Sequence, residues 1–577
     1  MGLTGALNIG RSALTASQLG LSVTSNNMAN ASTPGYSRQT IDLSPIRGGF
    51  IGNSFVGRGV GIDGVGRKVD EAIASRLLAA RSAETGAAQR LSSYAEVEAA
   101  LGELTGSDFS TQLNGFFNAW SERANLVQNS ASIVQQASGV AAFIRRLRED
   151  LTDLRAQVDL QVGATAELTN GIAQEIAGLN IQIAGLEGGG ATASALRDQR
   201  DGLVGQLADL MDIDVVEQPD GQVDVLVGSQ PIVLAGTARN ITVRRETRNG
   251  VAEIDVVAGE DQRRLTIRGG RIGGLLEARE NAVQNALGTL DNISRELIFE
   301  VNRLHANGAN LSGLQDTESN LRIPVADRTR PINDPLNEAF AGLPFTPTNG
   351  GFIVRVGREG SDTQTSVRID VDLDGIDNTG APGVGDETSL EDLRAAIDAV
   401  DGVRATFSPD GRLRVEADQG FEFSFGEDTS GVLASVGLNA FFTGTDAGDI
   451  AVREDLIAEP SRLTTGRYVN GRLVENQTAL DMASLGDRAI NGLGGLSFRE
   501  SWQNSVNQIG LNTQAAGVEA EAASVVRESI EAQRAAVSGV SLDEEAINLL
   551  QFQRQFQAAA RIISVADELL QTLIQTV

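Results

Sequence analysis

The chain opens on leucines and small residues spaced alternately by four and three: Leu3, Leu7, Gly10, Leu14, Ser17, Leu21, Thr24 and Met28. That spacing sets one side of a helix as a coiled-coil seam, with leucines on one position and mostly small residues on the other. The far end keeps the same alternation through Leu542, Glu545, Leu549, Phe552, Phe556, Ala559, Ile563, Ala566, Leu570, Leu573 and Val577. Each stripe needs a partner, and each is a candidate for the other. Ser541 followed by Glu544 has the form of a capping box, and Gly539 breaks what precedes it, so the last helix starts there.

A third heptad run, Val140, Ile144, Leu147, Leu151, Leu154 and Val158, resumes as Ile172, Ile176, Leu179, Ile183 and Leu186. It predicts one long helix, or two in line, ended by the glycines at 188 to 190. From Ile213 the period changes to two. Hairpins are expected around Pro219, Asp220 and Gly221, and around Asn249 and Gly250. Helical pattern returns from Ile272 to about Asn307. Residues 320 to 460 then alternate in short stretches such as "GFIVRV" and "RLRVEA", with one helical insert, "SLEDLRAAIDAV".

These patterns predict a mainly α, multidomain protein with β insertions. Terminal helices form a coiled coil, residues 1–40 pairing with a C-terminal helix over 520–577. An extended or β linker occupies 41–70, and a helical body covers 71–212, 269–312 and 470–519. A β-hairpin subdomain lies at 213–268, and a β-rich outer domain is inserted at 320–460.

Composition narrows the function. Against 76 acidic side chains stand 47 basic ones, a net charge of −29, and Lys68 is the one lysine. No basic face is dense enough for nucleic acid. The absence of cysteine removes disulfides and thiol chemistry, and it suits a chain that crosses between redox compartments unfolded. The first residues lack the basic and apolar regions of a cleavable signal, and no stretch approaches the roughly 18 apolar residues of a membrane span. Neither nucleic acid nor membrane is expected as a partner.

Between the first stripe and the rest lies "NNMANASTPGYSRQT", residues 26 to 40. Asn30 suits a left-handed helix end, Thr33 is pushed extended by the proline after it, and Pro34-Gly35 fits the middle of a type II turn. On local physics the stretch is a hard stop with a fixed exit. Its Asn26, Asn27, Ala29, Asn30, Thr33, Pro34, Gly35, Tyr36, Arg38 and Gln39 resemble the N-terminal signature of the bacterial flagellar axial proteins. "FFNAWSERANLVQNSASI", "LRDQRDGLVGQLADLMDIDVVEQPDGQVDVLV", "EVNRLHANGANLSG" and "SGVSLDEEAINLLQFQRQFQAAARIISVADELLQTLI" are similar within that group to the hook-associated protein 1 family, which joins hook to filament. Met28, Ala31-Ser32 and Phe556 depart from its commoner residues while keeping size or polarity.

The resemblance implies a structural subunit with no catalytic, cofactor-binding or metal site, exported by the flagellar type III route and secreted to the extracellular flagellum. Its implied partners are further copies of itself in a helical assembly, the hook protein, the second hook-filament junction protein and an export chaperone. The expected assembly seam is Leu3, Leu7, Leu14, Leu21, Met28, Leu542, Leu549, Phe552, Phe556, Ile563, Leu570 and Leu573. Another axial protein, the hook protein or the second junction protein, is an alternative that "LRDQRD" and "SGVSLDEE" oppose. A secreted tip enzyme with its site in 320–460 is another.

Candidate chemistry is sparse. His305 is the one histidine, which rules out a multi-histidine site within one chain and leaves packing or capping. Asp370, Asp372, Asp374 and Gly375 open like a calcium loop, but its twelfth position falls on Ala381, with Pro382 next, so a solvated acidic hairpin is expected. Glycines 57, 59, 61, 64 and 66 have no lysine-serine pair after them and make no phosphate loop.

Overall fold

A computed structural model describes all residues except 1–2, 52–53, 103–107, 126–128, 190–191, 249–250, 362, 377–379 and 577, and omits the side chains of 51, 54, 248, 251, 573 and 576. Val577, the Asn249-Gly250 hairpin tip and the last glycine of 188–190 therefore lie outside the described residues. The helices are α1 (Leu3–Ala29), α2 (Glu71–Leu101), α3 (Phe109–Ala124), α4 (Ser130–Glu187), α5 (Ser194–Leu210), α6 (Gly270–Ala278) and α7 (Asn285–Ala306). They continue as α8 (Leu390–Asp398), α9 (Val432–Val436), α10 (Glu454–Ala458), α11 (Gln477–Leu485), α12 (Phe498–Ser538) and α13 (Leu542–Thr576). With short sheets between them, the class is mainly α with β insertions.

The chain forms two compact units, one of residues 1–94, 156–279 and 513–577, the other of 95–155 and 280–512. In the first, Gln39–Pro45 pairs antiparallel with Val60–Arg67. Asp214–Glu217, Val223–Val227, Gln230–Leu234 and Thr237–Ala238 make a meander, and Ile241–Arg248 pairs with Val251–Ala258. The burial of Val223, Val225 and Val227, alternating with half-exposed neighbours, is the period-two signature of a sheet with one face on a core. That core is shared with Val158, Val162 and Ile176 of α4 and with Ile272 and Leu275 of α6.

The long heptad run is one helix, α4, of 58 residues. The stretch read as helical from Ile272 is interrupted: α6 passes through a π-turn, Arg279–Gln284, before α7 begins. Residues 520–577 are two helices, since α12 stops at Ser538 and α13 starts at Leu542. The α12 stretch packs elsewhere, with Ile530 on Leu77 and Ala80 of α2, and Arg527 against Glu84 at 2.6 Å.

In the second unit two three-stranded sheets, Asp316–Arg322 with Arg412–Ala417 and Val403–Phe407, and Gln364–Val371 with Gly350–Arg358 and Phe421–Gly426, enclose a core with α8 and α9. The expected 320–460 domain is not free-standing. Ala306 of α7 belongs to its core, and buried Asn302 accepts the N–H groups of Phe441 at 2.9 Å and Phe442 at 2.8 Å. Phe116 and Trp120 of α3 pack on Phe441 in the same region. His305, fully buried, bonds the carbonyl of Asn439 through Nδ1 at 2.7 Å and accepts the N–H of Thr464 at Nε2. Burial lowers its pKa to about 4, so it is a neutral packing group.

Candidate functional site

The first and last helices meet along their lengths, and they run antiparallel. Gly10 faces Ile563, Gly20 faces Phe552, and Asn27 faces Glu545. The approach is close because the α1 surface is made of small residues. Gly10, Ala16, Ser17, Gly20, Val23, Thr24 and Asn27 are its buried positions. A Cβ added to Gly20 falls 2.5 Å from Cδ1 of Phe552, so only glycine admits that ring.

Of the predicted seam residues, Phe552 and Ile563 on α13 sit directly over Gly20 and Gly10, whereas the leucines and Met28 of α1 take flanking places. Leu3, Leu7, Leu14, Leu21 and Met28 are half-buried beside the small residues, as are Leu549, Phe552, Phe556, Ile563 and Leu570 on α13. Leu542 is 55 % exposed and takes no part in the pairing face, because the chain entering the helix there lies at the surface. Leu573 has no described side chain.

Residues 26 to 39 form a clasp on the start of α13. The chain leaves α1 through the expected type II turn, with Gly35 at φ +79° and the Tyr36 N–H donating to Thr33 at 3.2 Å. Asn30 does not take the left-handed conformation. Its side-chain amide instead donates to the Asn26 carbonyl at 3.0 Å, closing the helix end with an i−4 bond.

The turn returns Tyr36, Arg38 and Gln39 to the face carrying Asn27. The Asn27 amide donates to the Gln39 carbonyl at 2.9 Å and to Glu545 Oε2 at 3.2 Å. Its oxygen accepts the Tyr36 hydroxyl at 2.8 Å and the Gln39 N–H at 3.0 Å. Arg38 donates from Nε to Glu545 Oε1 at 2.8 Å and from Nη1 to Glu544 Oε2 at 2.7 Å, and its N–H bonds the Ser538 carbonyl at 3.0 Å. The Ser541–Glu544 box is therefore half made: Ser541 Oγ accepts the Glu544 N–H at 3.5 Å, while the Glu544 carboxylate goes to Arg38. Glu545 is 2 % exposed and Asn27 1 %, so a buried carboxylate is held by one guanidinium and one amide.

Sequence reasoning missed the floor of this clasp. In "LRDQRD", Asp198 and Asp201 grip Arg67 at 2.7 and 2.8 Å, and Asp198 also accepts the Ser37 N–H at 3.4 Å. Arg197 spans Glu187 and Glu217, and buried Arg200 donates to the Gly221 carbonyl at 2.6 Å. Burial disfavours the Arg67 cation, but its aspartates outweigh that and raise its pKa, whereas in Arg200 burial wins and lowers it. Tyr36 is raised first by burial and then by Asp198 and Glu545. The alternating charges of the motif were the available signal, but pairing across 131 residues has no local trace.

Among the described residues no nucleophile, base and acid converge at this clasp, and no helix is long and apolar enough to cross a membrane. Its chemistry is that of a latch between chain ends.

The family described as flagellar hook-associated protein FlgK helical domain matches residues 94–321. The C-terminal family of flagellar basal body rod FlgEFG proteins matches 530–576, and the flagella basal body rod protein family matches 7–36. Flagellar hook-associated protein 1 of Escherichia coli (strain K12) is 25% identical over 585 residues, covering 99% of this chain and 100% of its own. Its namesake from Bacillus subtilis (strain 168) is 24% identical over 583 residues, covering 98% and 97%. The solved flagellar hook junction protein FlgK from Burkholderia pseudomallei aligns over 80% of this chain and 100% of its own, at 15% identity and a TM-score of 0.48.

Proposed function

We propose that this chain, similar over nearly its whole length to flagellar hook-associated protein 1, is a flagellar structural protein that builds the hook-filament junction through its clasped terminal helices. The observation that carries this reading is that α13 is apolar on two opposite faces. Phe552, Phe556, Ala559, Ile563 and Ala566 lie toward α1, with Ile562 also touching Gly10 at the edge, while Ile547, Leu550, Val565 and Leu569 are 65, 56, 48 and 54 % exposed. At about 100° per residue the second group occupies the far side of the helix as a stripe roughly 100° wide. A helix apolar on both sides is one that a second partner covers, and here the partner is the terminal pair of a neighbouring subunit.

On α12, exposed Val518 and Val525 lie seven residues apart, a further seam left open in the single chain. Each contact buries apolar area at about 25 cal/mol per Å², and in a helical lattice it recurs at every subunit. The hook protein supplies the surface on which such a lattice starts, and the second junction protein the one on which it ends. An export chaperone covers the stripes before secretion by the type III route to the extracellular flagellum. The protein acts by contact and not by catalysis.

The test separates the outer stripe from the inner pairing. Leu550→Asp with Val565→Asp places charges on the outer face only. The variant should be exported and keep amide-exchange protection in α1 and α13, yet fail to restore filaments to cells lacking the wild type, while Gln553→Asp, between the two faces, restores them. Normal filaments from the double variant would remove the outer stripe from the assembly.

A further inference from the structure

The calcium-loop opening at Asp370 lacks its closing acid in sequence, and the fold supplies one from further along the chain. Asp372, Asp374 and Glu387 each place a carboxylate oxygen within 4.8 Å of the others. Glu387 is 4 % exposed. Its Oε1 accepts the Gly375 N–H, and its Oε2, equally buried, has no hydrogen-bond partner. A buried carboxylate grouped with two others, one of its oxygens without a donor, calls for a cation.

The surrounding backbone holds the three groups in place. The Asp372 N–H donates to Thr388 Oγ1 at 2.8 Å, and the Thr388 N–H returns to the Asp372 carbonyl at 2.9 Å, which fixes Glu387 beside Asp372. Gly375, at φ +74°, makes the sharp turn that such loops need after their third acid. Asp374 caps that turn by accepting the Ile376 N–H at 2.8 Å on Oδ1. Asp370 turns aside to Arg368 at 2.7 Å and is not a ligand.

We propose that Asp372, Asp374 and Glu387 bind one calcium ion and thereby tie the 372–376 turn to the bend that precedes α8 in the β-rich part of the second unit. All donors are hard oxygens, which select calcium or magnesium over softer metals. Calcium accepts flexible sets of oxygen ligands at about 2.3–2.6 Å, whereas magnesium demands a near-ideal octahedron at about 2.1 Å and keeps most of its waters, so three carboxylates from a turn and a bend suit calcium better. Three protein carboxylates make a modest site, with a Kd of roughly 10⁻⁴ to 10⁻³ M, in the range of extracellular modules.

The full-length chain is tested by radioactive-calcium equilibrium dialysis and by thermal unfolding with calcium or with EGTA. The wild type should take up one calcium per chain and melt higher in calcium at about tenfold its Kd, because a ligand of the folded state stabilises it by mass action. Asp372→Asn with Asp374→Asn changes two exposed side chains without altering their size. It should match the wild type in EGTA and bind calcium at least about tenfold more weakly, as two ligands are lost. Glu387→Gln, which keeps an oxygen for the Gly375 N–H, should show the same loss. The assignment is overturned by no uptake at millimolar calcium, by uptake unchanged in these variants, or by equal stabilisation with magnesium.

Discussion

At Asn27 a single side-chain amide uses both of its donors and both of its acceptor lone pairs, on Gln39, Glu545 and Tyr36. Arg38 supplies the charge that Glu545 needs in a site with almost no water. Removing Arg38 leaves that carboxylate buried and unpaired, so Arg38→Ala should cost about 3 kcal/mol. Arg38→Ala combined with Glu545→Gln should recover much of the loss, because a neutral amide still meets Asn27. Urea unfolding followed through amide exchange in α1 and α13 measures both, and a double variant no better than the single one would refute the account. His305 gives a second test at this scale. Its folded pKa of about 4 lies below the unfolded 6.5, so the unfolded chain binds the proton first. Stability is full above pH 6.5 and falls as pH drops toward 4. Between pH 7 and 5 the loss should be about 2 kcal/mol, and in His305→Gln that share of the slope should vanish.

Among the elements, the pair of α1 and α13 depends on smallness. Gly20→Val thrusts two methyl groups at the Phe552 ring and should destabilise the pair by about 1 to 3 kcal/mol, while Phe552→Leu in the same chain should relieve part of it. A double-mutant cycle in urea reads the coupling, and strict additivity would mean that the two do not touch. The alternation of three and four was legible because both stripes carry it, and so was the Pro34-Gly35 turn, whose residues each set their own backbone angle. The face was less legible. Leucines dominate the pattern, yet close approach is governed by the residues with least bulk, so Gly10, Gly20 and Val23 took the centre. The break between α12 and α13 was written in Gly539 and Ser541, whereas the π-turn at 279–284 has no breaker to announce it. Glu387 was invisible as a ligand because the loop it closes is longer than the spacing the motif suggests.

For the molecule as a whole, the β-rich segment is a partner of the helices around it within its unit. Excising residues 325–455 removes Phe441, Phe442 and Asn439, and so strips the bonds of Asn302 and His305 and uncovers Phe116 and Trp120. The second unit should then lose its cooperative melting transition by calorimetry, while a smaller transition from the first unit persists. Retention of both transitions would show that the segment is dispensable for folding. The clasp, finally, joins positions 518 residues apart in Asn27 and Glu545, and 507 apart in Arg38 and Glu545. A chain that emerges N-terminus first from a ribosome or a narrow channel presents the early half of this latch long before the late half exists. Until α13 arrives, the small-residue face of α1 stays uncovered and adhesive. A clipped or stalled chain therefore advertises its incompleteness, and only a finished one can close.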